Sequence, residues 1–161
     1  VATNFEDVGD FHTKFGLPSN NEDFAGPRIV SQETMAYRIK FLEEELEELR
    51  AAAETSNHPE MFDALLDLAY VAMGTAHFLG YPWQAGWDRV QAANMQKVRA
   101  KSADESKRGN ANDVVKPEGW EPPNFDDLLV FYRGVKLTSY LTEDNKDEGN
   151  RVFGYMNRES K

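Results

Sequence analysis

The sequence predicts an all-α protein: a four-helix-type bundle followed by a C-terminal extension of different character. Three observations carry that prediction. Apolar residues recur at helical spacing in four successive stretches. Ser, Asn, Pro and Gly stand at the ends of those stretches, where helix termini favour them. From Lys101 onward the composition shifts to Ser, Asp, Asn, Gly and Lys, the signature of a loop. At 161 residues the chain accommodates one domain and an appendage. The expected division is a helical domain over residues 1–123 and an extension over 124–161.

The first helix is expected from about Asn4 to Phe15, with Phe5, Val8, Phe11, His12 and Phe15 on one face. Gly16-Leu-Pro18 ends it. A polar loop with Asn20, Asn21, Gly26 and Pro27 leads to Ser31-Gln-Glu-Thr34, which opens a long helix reaching about Ala53. Its apolar stripe reads Met35, Ile39, Leu42, Leu46, Leu49 and Ala53. After the break at Asn57-His-Pro59, with Pro suited to a first turn, a third helix runs from about Glu60 to Leu79 and stops at Gly80. A fourth is expected from Pro82 to Ala100. In the extension, Leu128-Leu-Val-Phe-Tyr and Val135-Lys-Leu-Thr-Ser-Tyr140 suit two strands flanking Gly134 or a short helix, and the segment near Glu143 to Asn150 suits disorder.

Composition narrows the functional classes. A formal net charge of -10 opposes wrapping duplex DNA or an anionic membrane surface, because both require a broad basic face. An acidic protein still binds a polyanionic small molecule when metal cations bridge the two. There is no cysteine, which excludes disulfides, thiol nucleophiles and thiolate metal sites. His12, His58 and His77 lack metalloprotease spacing. No apolar leader is visible, and the most apolar stretch, Ala64 to Leu79, contains Asp67 and His77 and is too short to span a bilayer. A cytoplasmic protein is expected.

The acidic residues are patterned. Glu43-Glu-Glu-Leu-Glu-Glu48 lies on the long helix, where a solvated face is the ordinary explanation. At about 100° per residue, Glu45 and Glu48 flank one side of the apolar stripe, and Glu43 and Glu47 flank the other. The third helix is apolar nearly all round, the pattern of a buried helix. Asp63, Asp67, Tyr70 and Gly74 share a narrow sector of it at i, i+4, i+7 and i+11. An aspartate so placed must be protonated, bound to a cation, or paired, through a core hydrogen bond or an ion pair with Arg38. If two helices bring Glu45, Glu48, Asp63 and Asp67 together, carboxylates ~4 Å apart repel by about 4 kcal/mol at an effective dielectric near 20. Hard divalent ions remove that penalty, and oxygen ligands select magnesium or manganese over zinc.

These residues resemble a known family. Glu44-Glu-Leu-Glu-Glu-Leu49 followed by Asp63-x-x-x-Asp67 is similar to the Glu-x-x-Glu plus Glu/Asp-x-x-Asp signature of all-α NTP pyrophosphohydrolases, which include MazG, dimeric dUTPases and phosphoribosyl-ATP pyrophosphohydrolase. The string Asp63-Ala-Leu-Leu-Asp-Leu-Ala-Tyr-Val-Ala-Met-Gly-Thr-Ala76, the segments Ala93-Asn-Met-Gln-Lys97 and Val115-Lys-Pro-Glu-Gly-Trp120, and the Phe11-His12…Phe15 opening resemble the phage and bacterial MazG-like branch. The resemblance spans about Phe5 to Pro123. It implies a magnesium site, with manganese as a substitute, held by Glu45, Glu48, Asp63 and Asp67. Asp63 replaces the acid that the family signature places at position 64, where this chain has Ala64. Glu44 is implied to bind a further metal or to orient the attacking water, with Glu48 and Lys97 also in the catalytic set. Asn94 and Lys97 match phosphate- and sugar-contacting positions.

Lys101, Lys107, Arg108 and Lys116 add positive charge beside these residues, a phosphate clamp in this context and otherwise helix-end complementarity plus an ordinary loop. Core packing is the expected role of Trp83, Trp87 and Trp120, with one of them, or His12 or Phe15, as candidate for stacking on a base. The implied reaction is hydrolysis of a (deoxy)nucleoside triphosphate to the monophosphate and pyrophosphate, with a purine deoxynucleotide such as dGTP expected. Phosphoribosyl-ATP is the second substrate, and a catalytically inactive acidic interaction bundle is the alternative of another class. The resemblance also implies a homodimer or a dimer of dimers, and no nucleic-acid or membrane partner is expected.

Overall fold

The computed structural model describes residues 1–20 and 26–129. These fall into two units, Val1–Tyr81 and Pro82–Val130. The boundary expected at Pro123 therefore lies inside the second unit. Of the expected extension, Leu128 ends a turn at 126–128 and Leu129 follows it, while the remaining candidate strand residues and the segment near Glu143 lie outside the described residues.

The first unit is helical. Helix α1, Asn4–Lys14, opens with a capping box: the Thr3 amide donates to Glu6 Oε2 at 2.7 Å, and the Glu6 amide donates to Thr3 Oγ1 at 3.3 Å. Helix α2, Gln32–Glu54, is capped by Ser31, whose Oγ accepts from the Thr34 amide at 3.1 Å. Helix α3, His58–Leu79, begins after Asn57 with Pro59 in its first turn and closes on Gly80, which adopts the left-handed conformation (φ 66°). A β-carbon on Gly80 would lie 1.9 Å from the Gly26 carbonyl oxygen, so backbone conformation and close approach both require glycine there.

Helices α2 and α3 form an αα-hairpin, and α1 packs on α3. The α2 face turned inward is Arg38, Glu45 and Ala52, at i, i+7 and i+14. Small residues, Ala64 and Gly74 with Val71, form the buried face of α3. This corrects two expectations. Ile39 and Leu46 of the predicted stripe are exposed, because the hairpin is seated on a sector rotated from that stripe. Nor is α3 buried all round: Phe62, Leu65 and Leu66 are 65%, 52% and 53% exposed. Periodicity identified apolar surface, but the chain covers only the sector facing α2 and α1.

The second unit starts with α4, Trp83–Met95. It is shorter than expected, because Val98–Arg99 (β1) pairs antiparallel with Val114–Val115 (β2) in the register Val98↔Val115 and Arg99↔Val114. The β-branched residues are better satisfied in that ladder than in another helical turn. The loop between the strands contains a single 3₁₀ turn, Ala103–Glu105, and is closed by Asp113, which accepts from Ser106 Oγ (2.7 Å) and Arg108 Nη1 (2.5 Å). The Trp120 indole N–H donates to the Ala93 carbonyl at 2.8 Å. Arg89 holds Asp127 through two bonds of 2.6 and 2.7 Å, which ties the end of the unit to α4. Among the described residues no helix is long and apolar enough to cross a membrane.

Candidate functional site

The antiparallel pairing of α2 with α3 sets the acidic residues in one region of the first unit. Glu45 faces α3 and is only 9% exposed, whereas Glu44, Glu48 and Asp63 are exposed and Asp67 is half-buried. No hydrogen bond or ion pair reaches Glu45 among the described residues. Instead, burial and the charges of Glu48, Asp67, Glu44 and Asp63 push its carboxyl above the ordinary glutamate range. Asp63 contributes least of the four charges. Glu44 is drawn toward solvent by Lys40 at 3.6 Å, a weak surface pair. Ala64, where the family signature carries an acid, is itself buried against α2, so Asp63 and Ala64 occupy different surroundings despite adjacent positions.

The donor chemistry suits a hard divalent cation: carboxylates from two helices, with no neighbouring imidazole or thiolate. Among the described residues, however, no group of three or more His, Asp or Glu side chains is already gathered to hold an ion. Glu48 and Asp63 are exposed, and Asp67 is half-buried. The acids fit a hard divalent cation in donor type, and no three of them are gathered at one point among the described residues.

Arg38, expected as a possible partner for the aspartates, is engaged elsewhere. Its guanidinium donates to the Val71 carbonyl at 2.9 Å and to Thr75 Oγ1 at 3.1 Å, beneath the rings of Phe78, Phe41 and Tyr37. Gly74 makes room for it: a β-carbon there would lie 2.9 Å from His12 Nε2 and 3.0 Å from Arg38 Nη2.

His12 is not available to stack on a base, because it is buried between α1 and α3. Its Nδ1–H donates to the Pro18 carbonyl at 2.6 Å, and its ring meets Phe78 edge-on. His77 is fully buried and stacked on Phe5 at 3.9 Å. The Asn20 amide donates to His77 Nδ1 at 3.0 Å, so Nε2 carries the hydrogen and donates to the Phe5 carbonyl at 2.8 Å. Burial lowers the pKa of both rings, and nearby cations lower it further. Phe15 and Trp87 remain exposed, and Trp83 lies stacked near Trp87.

In the second unit the expected phosphate-contacting residues separate into two sets. Asn94, Lys97 and Lys116 converge on Trp120: the Lys97 ammonium donates to Asn94 Oδ1 at 2.8 Å and lies 5.5 Å from the indole centre, and the Lys116 ammonium lies 4.4 Å from it. Lys97 is two residues beyond the end of α4, not within it. Arg108 is committed to its ion pair with Asp113, and Lys101 is exposed beside Glu105, which accepts from the Lys101 amide. Trp120 is half-buried, with its indole N–H on α4 and two lysine ammonium groups against its ring. The signal was present in Lys116-Pro-Glu-Gly-Trp120, but no spacing rule shows that the turn folds back onto α4.

With this geometry in view, comparison with known proteins decides the family. The pattern described as phosphoribosyl-ATP pyrophosphohydrolase matches residues 8–94, more than half of the chain. The chain belongs to the phosphoribosyl-ATP pyrophosphohydrolase family. This places it in the all-α NTP pyrophosphohydrolase superfamily, which also holds the MazG-like proteins. The family match takes in Glu45, Glu48, Asp63 and Asp67 and stops at Asn94, so Lys97, Lys116 and Trp120 lie beyond it. An uncharacterized protein of Acanthamoeba polyphaga mimivirus is similar at 33% identity over 79 residues, covering 49% of this chain and 32% of that protein. The chain thus spans about a third of the length of that viral relative.

Proposed function

We propose that the protein is a magnesium-dependent nucleotide pyrophosphohydrolase that cleaves a (deoxy)nucleoside triphosphate to its monophosphate and pyrophosphate. The observation that carries the reading is Glu45: an inward-facing glutamate of α2, with no hydrogen bond or ion pair among the described residues, whose ionisation is opposed by burial and by the charges of four other acids on α2 and α3, in a chain of the pyrophosphohydrolase family. Folding alone does not explain such a group, because each neighbour opposes its ionisation.

Glu45, Glu48, Asp63 and Asp67 would hold the cation, magnesium or manganese. When bound, the metal supplies charge neutralisation of the phosphates and Lewis acidity toward water. Glu44 orients the attacking water. Water oxygen bonds to phosphorus and releases a proton to solvent, the α–β anhydride P–O bond breaks, and the departing oxygen takes the electron pair, giving monophosphate and pyrophosphate. Asn94 and Lys97, with Lys116 and Lys101 as further cations, are assigned to the phosphate oxygens, whereas Arg108 stays with Asp113. A purine deoxynucleotide such as dGTP is the proposed substrate, in keeping with the MazG-like motifs. The family match favours a second reading, phosphoribosyl-ATP. The exposed Phe62, Leu65 and Leu66 on α3 support association of the chain with itself, as a homodimer or a dimer of dimers.

The test is pyrophosphate release from all ribo- and deoxynucleoside triphosphates and from phosphoribosyl-ATP, with magnesium or manganese. Release from one class identifies the substrate. Silence across the panel refutes the enzymatic reading and leaves an acidic interaction protein. Glu48→Gln and Asp67→Asn should each lower turnover by at least about a hundredfold, since each removes charge that neutralises the phosphates.

A further inference from the structure

We propose that Trp120 is a positioning residue: its indole gathers Lys97 and Lys116 into a clamp for the pyrophosphate portion of the substrate. The proposal deepens the pyrophosphohydrolase reading, from which it takes the identity of its ligand. Two lysine ammonium groups lie 4.4 and 5.5 Å from the centre of one ring, and among the described residues neither has a carboxylate within ion-pairing distance. Two like charges held at one ring face, with no acid paired to either among the described residues, form a place where an anion can be received.

The platform is built. The Trp120 indole N–H is bonded to the Ala93 carbonyl in the last turn of α4 at 2.8 Å, and the Trp120 amide to the Pro117 carbonyl at 3.1 Å. Gly119, at φ 75°, makes the turn that brings the ring back to α4. Lys97 is held a second time by Asn94 Oδ1, which leaves the Asn94 amide hydrogens to donate. A lysine is a point charge on a flexible stem, and contact with an aromatic face reduces the freedom lost when an anion is bound. Two such charges match the two linked phosphoryl groups of pyrophosphate.

The experiment titrates the full chain with magnesium pyrophosphate by calorimetry. Trp120→Leu keeps apolar volume and removes the ring; Trp120→Phe keeps a ring and removes the N–H. Trp120→Leu should weaken pyrophosphate binding by about five- to tenfold, and Trp120→Phe should recover at least half of that loss on a logarithmic scale. Equal affinities in the two variants, the result of a space-filling role, overturn the proposal, as does absence of binding to the wild type. If the Trp120 variants do not fold, Lys116→Met reads the same clamp: about tenfold weaker binding supports it, and unchanged binding overturns it. Nucleotide turnover is measured in parallel. A wild type that turns over, with KM unchanged in Trp120→Leu, sinks the clamp and spares the hydrolase. A wild type that binds pyrophosphate through Trp120 without turning over any nucleotide does the reverse.

Discussion

Replacing Glu45 with Gln should stabilise the metal-free protein while abolishing its response to magnesium. The amide has nearly the same shape and carries no charge. Its four acidic neighbours, Glu48, Asp67, Glu44 and Asp63, then lose the repulsion that raises the Glu45 pKa. With solvent screening, four such interactions sum to on the order of 1–2 kcal/mol. A domain of this size gains roughly 2–4 °C in Tm per kcal/mol, so the variant should melt about 2–8 °C higher without divalent ions. The pH dependence has a definite sign. A raised pKa means the folded state binds the Glu45 proton more tightly than the unfolded state. Its contribution is therefore fully present below about 4.5 and is lost as pH rises through the raised value. Glu45→Gln should flatten that decline. Magnesium at a hundred times its Kd should add about 2.7 kcal/mol to the wild type and little to the variant. Thermal melts between pH 4 and 8, with EDTA or with magnesium, measure every part of this. A lower metal-free Tm in the variant, or an equal magnesium gain in both proteins, refutes the reasoning.

Gly80→Ala places a side chain at φ 66° and drives its β-carbon to 1.9 Å from the Gly26 carbonyl oxygen; a loss of at least about 3 kcal/mol is expected, read as a Tm drop of roughly 6 °C or more, and an unchanged melt contradicts the described packing. His12 and His77 are held neutral in the fold, so stability should be full above about 6.5 and fall as the pH drops through that value toward their lowered pKa values. His77→Asn should weaken this dependence in urea melts; an unaltered slope between pH 5 and 7 excludes His77 as its source.

The helices were legible because their ends carry strong local chemistry. Thr3 with Glu6, Ser31, Asn57 with Pro59, and Gly80 each satisfy or terminate backbone groups within a few residues, so one sequence suffices to find them. The end of α4 was not legible, because Val98 and Arg99 leave the helix for a partner strand sixteen residues on, a non-local preference that helical periodicity cannot register. The rotation of α2 was missed for a related reason. Arg38 and Glu45 read as surface residues by type, yet both face inward, while Ile39 and Leu46 lie outside. Charge at a buried position is legible only once its partner is known, and the partners of Arg38 are the Val71 carbonyl and Thr75 on another helix. The acidic neighbourhood was readable as a set of residues, but not the inequality within it that singles out Glu45.

That inequality bears on why the acids are there. A solvated acidic face keeps its carboxylates apart and hydrated, and the run from Glu43 to Glu48 has room for this on its outer side, where Glu47 pairs with Arg50 at 3.1 Å. Glu45 departs from the pattern, since it faces inward and both partial burial and four nearby charges oppose its ionisation. Arg38, on the same face two turns earlier, shows how the fold treats a buried charge for structural purposes: it receives a carbonyl, a hydroxyl and three aromatic faces. Glu45 receives none of these among the described residues. One helix thus carries a buried cation fully supplied by the protein and a buried anion left for something else to supply. A divalent cation, the ion of the proposed hydrolase, would answer that deficit through its charge and its preference for oxygen ligands.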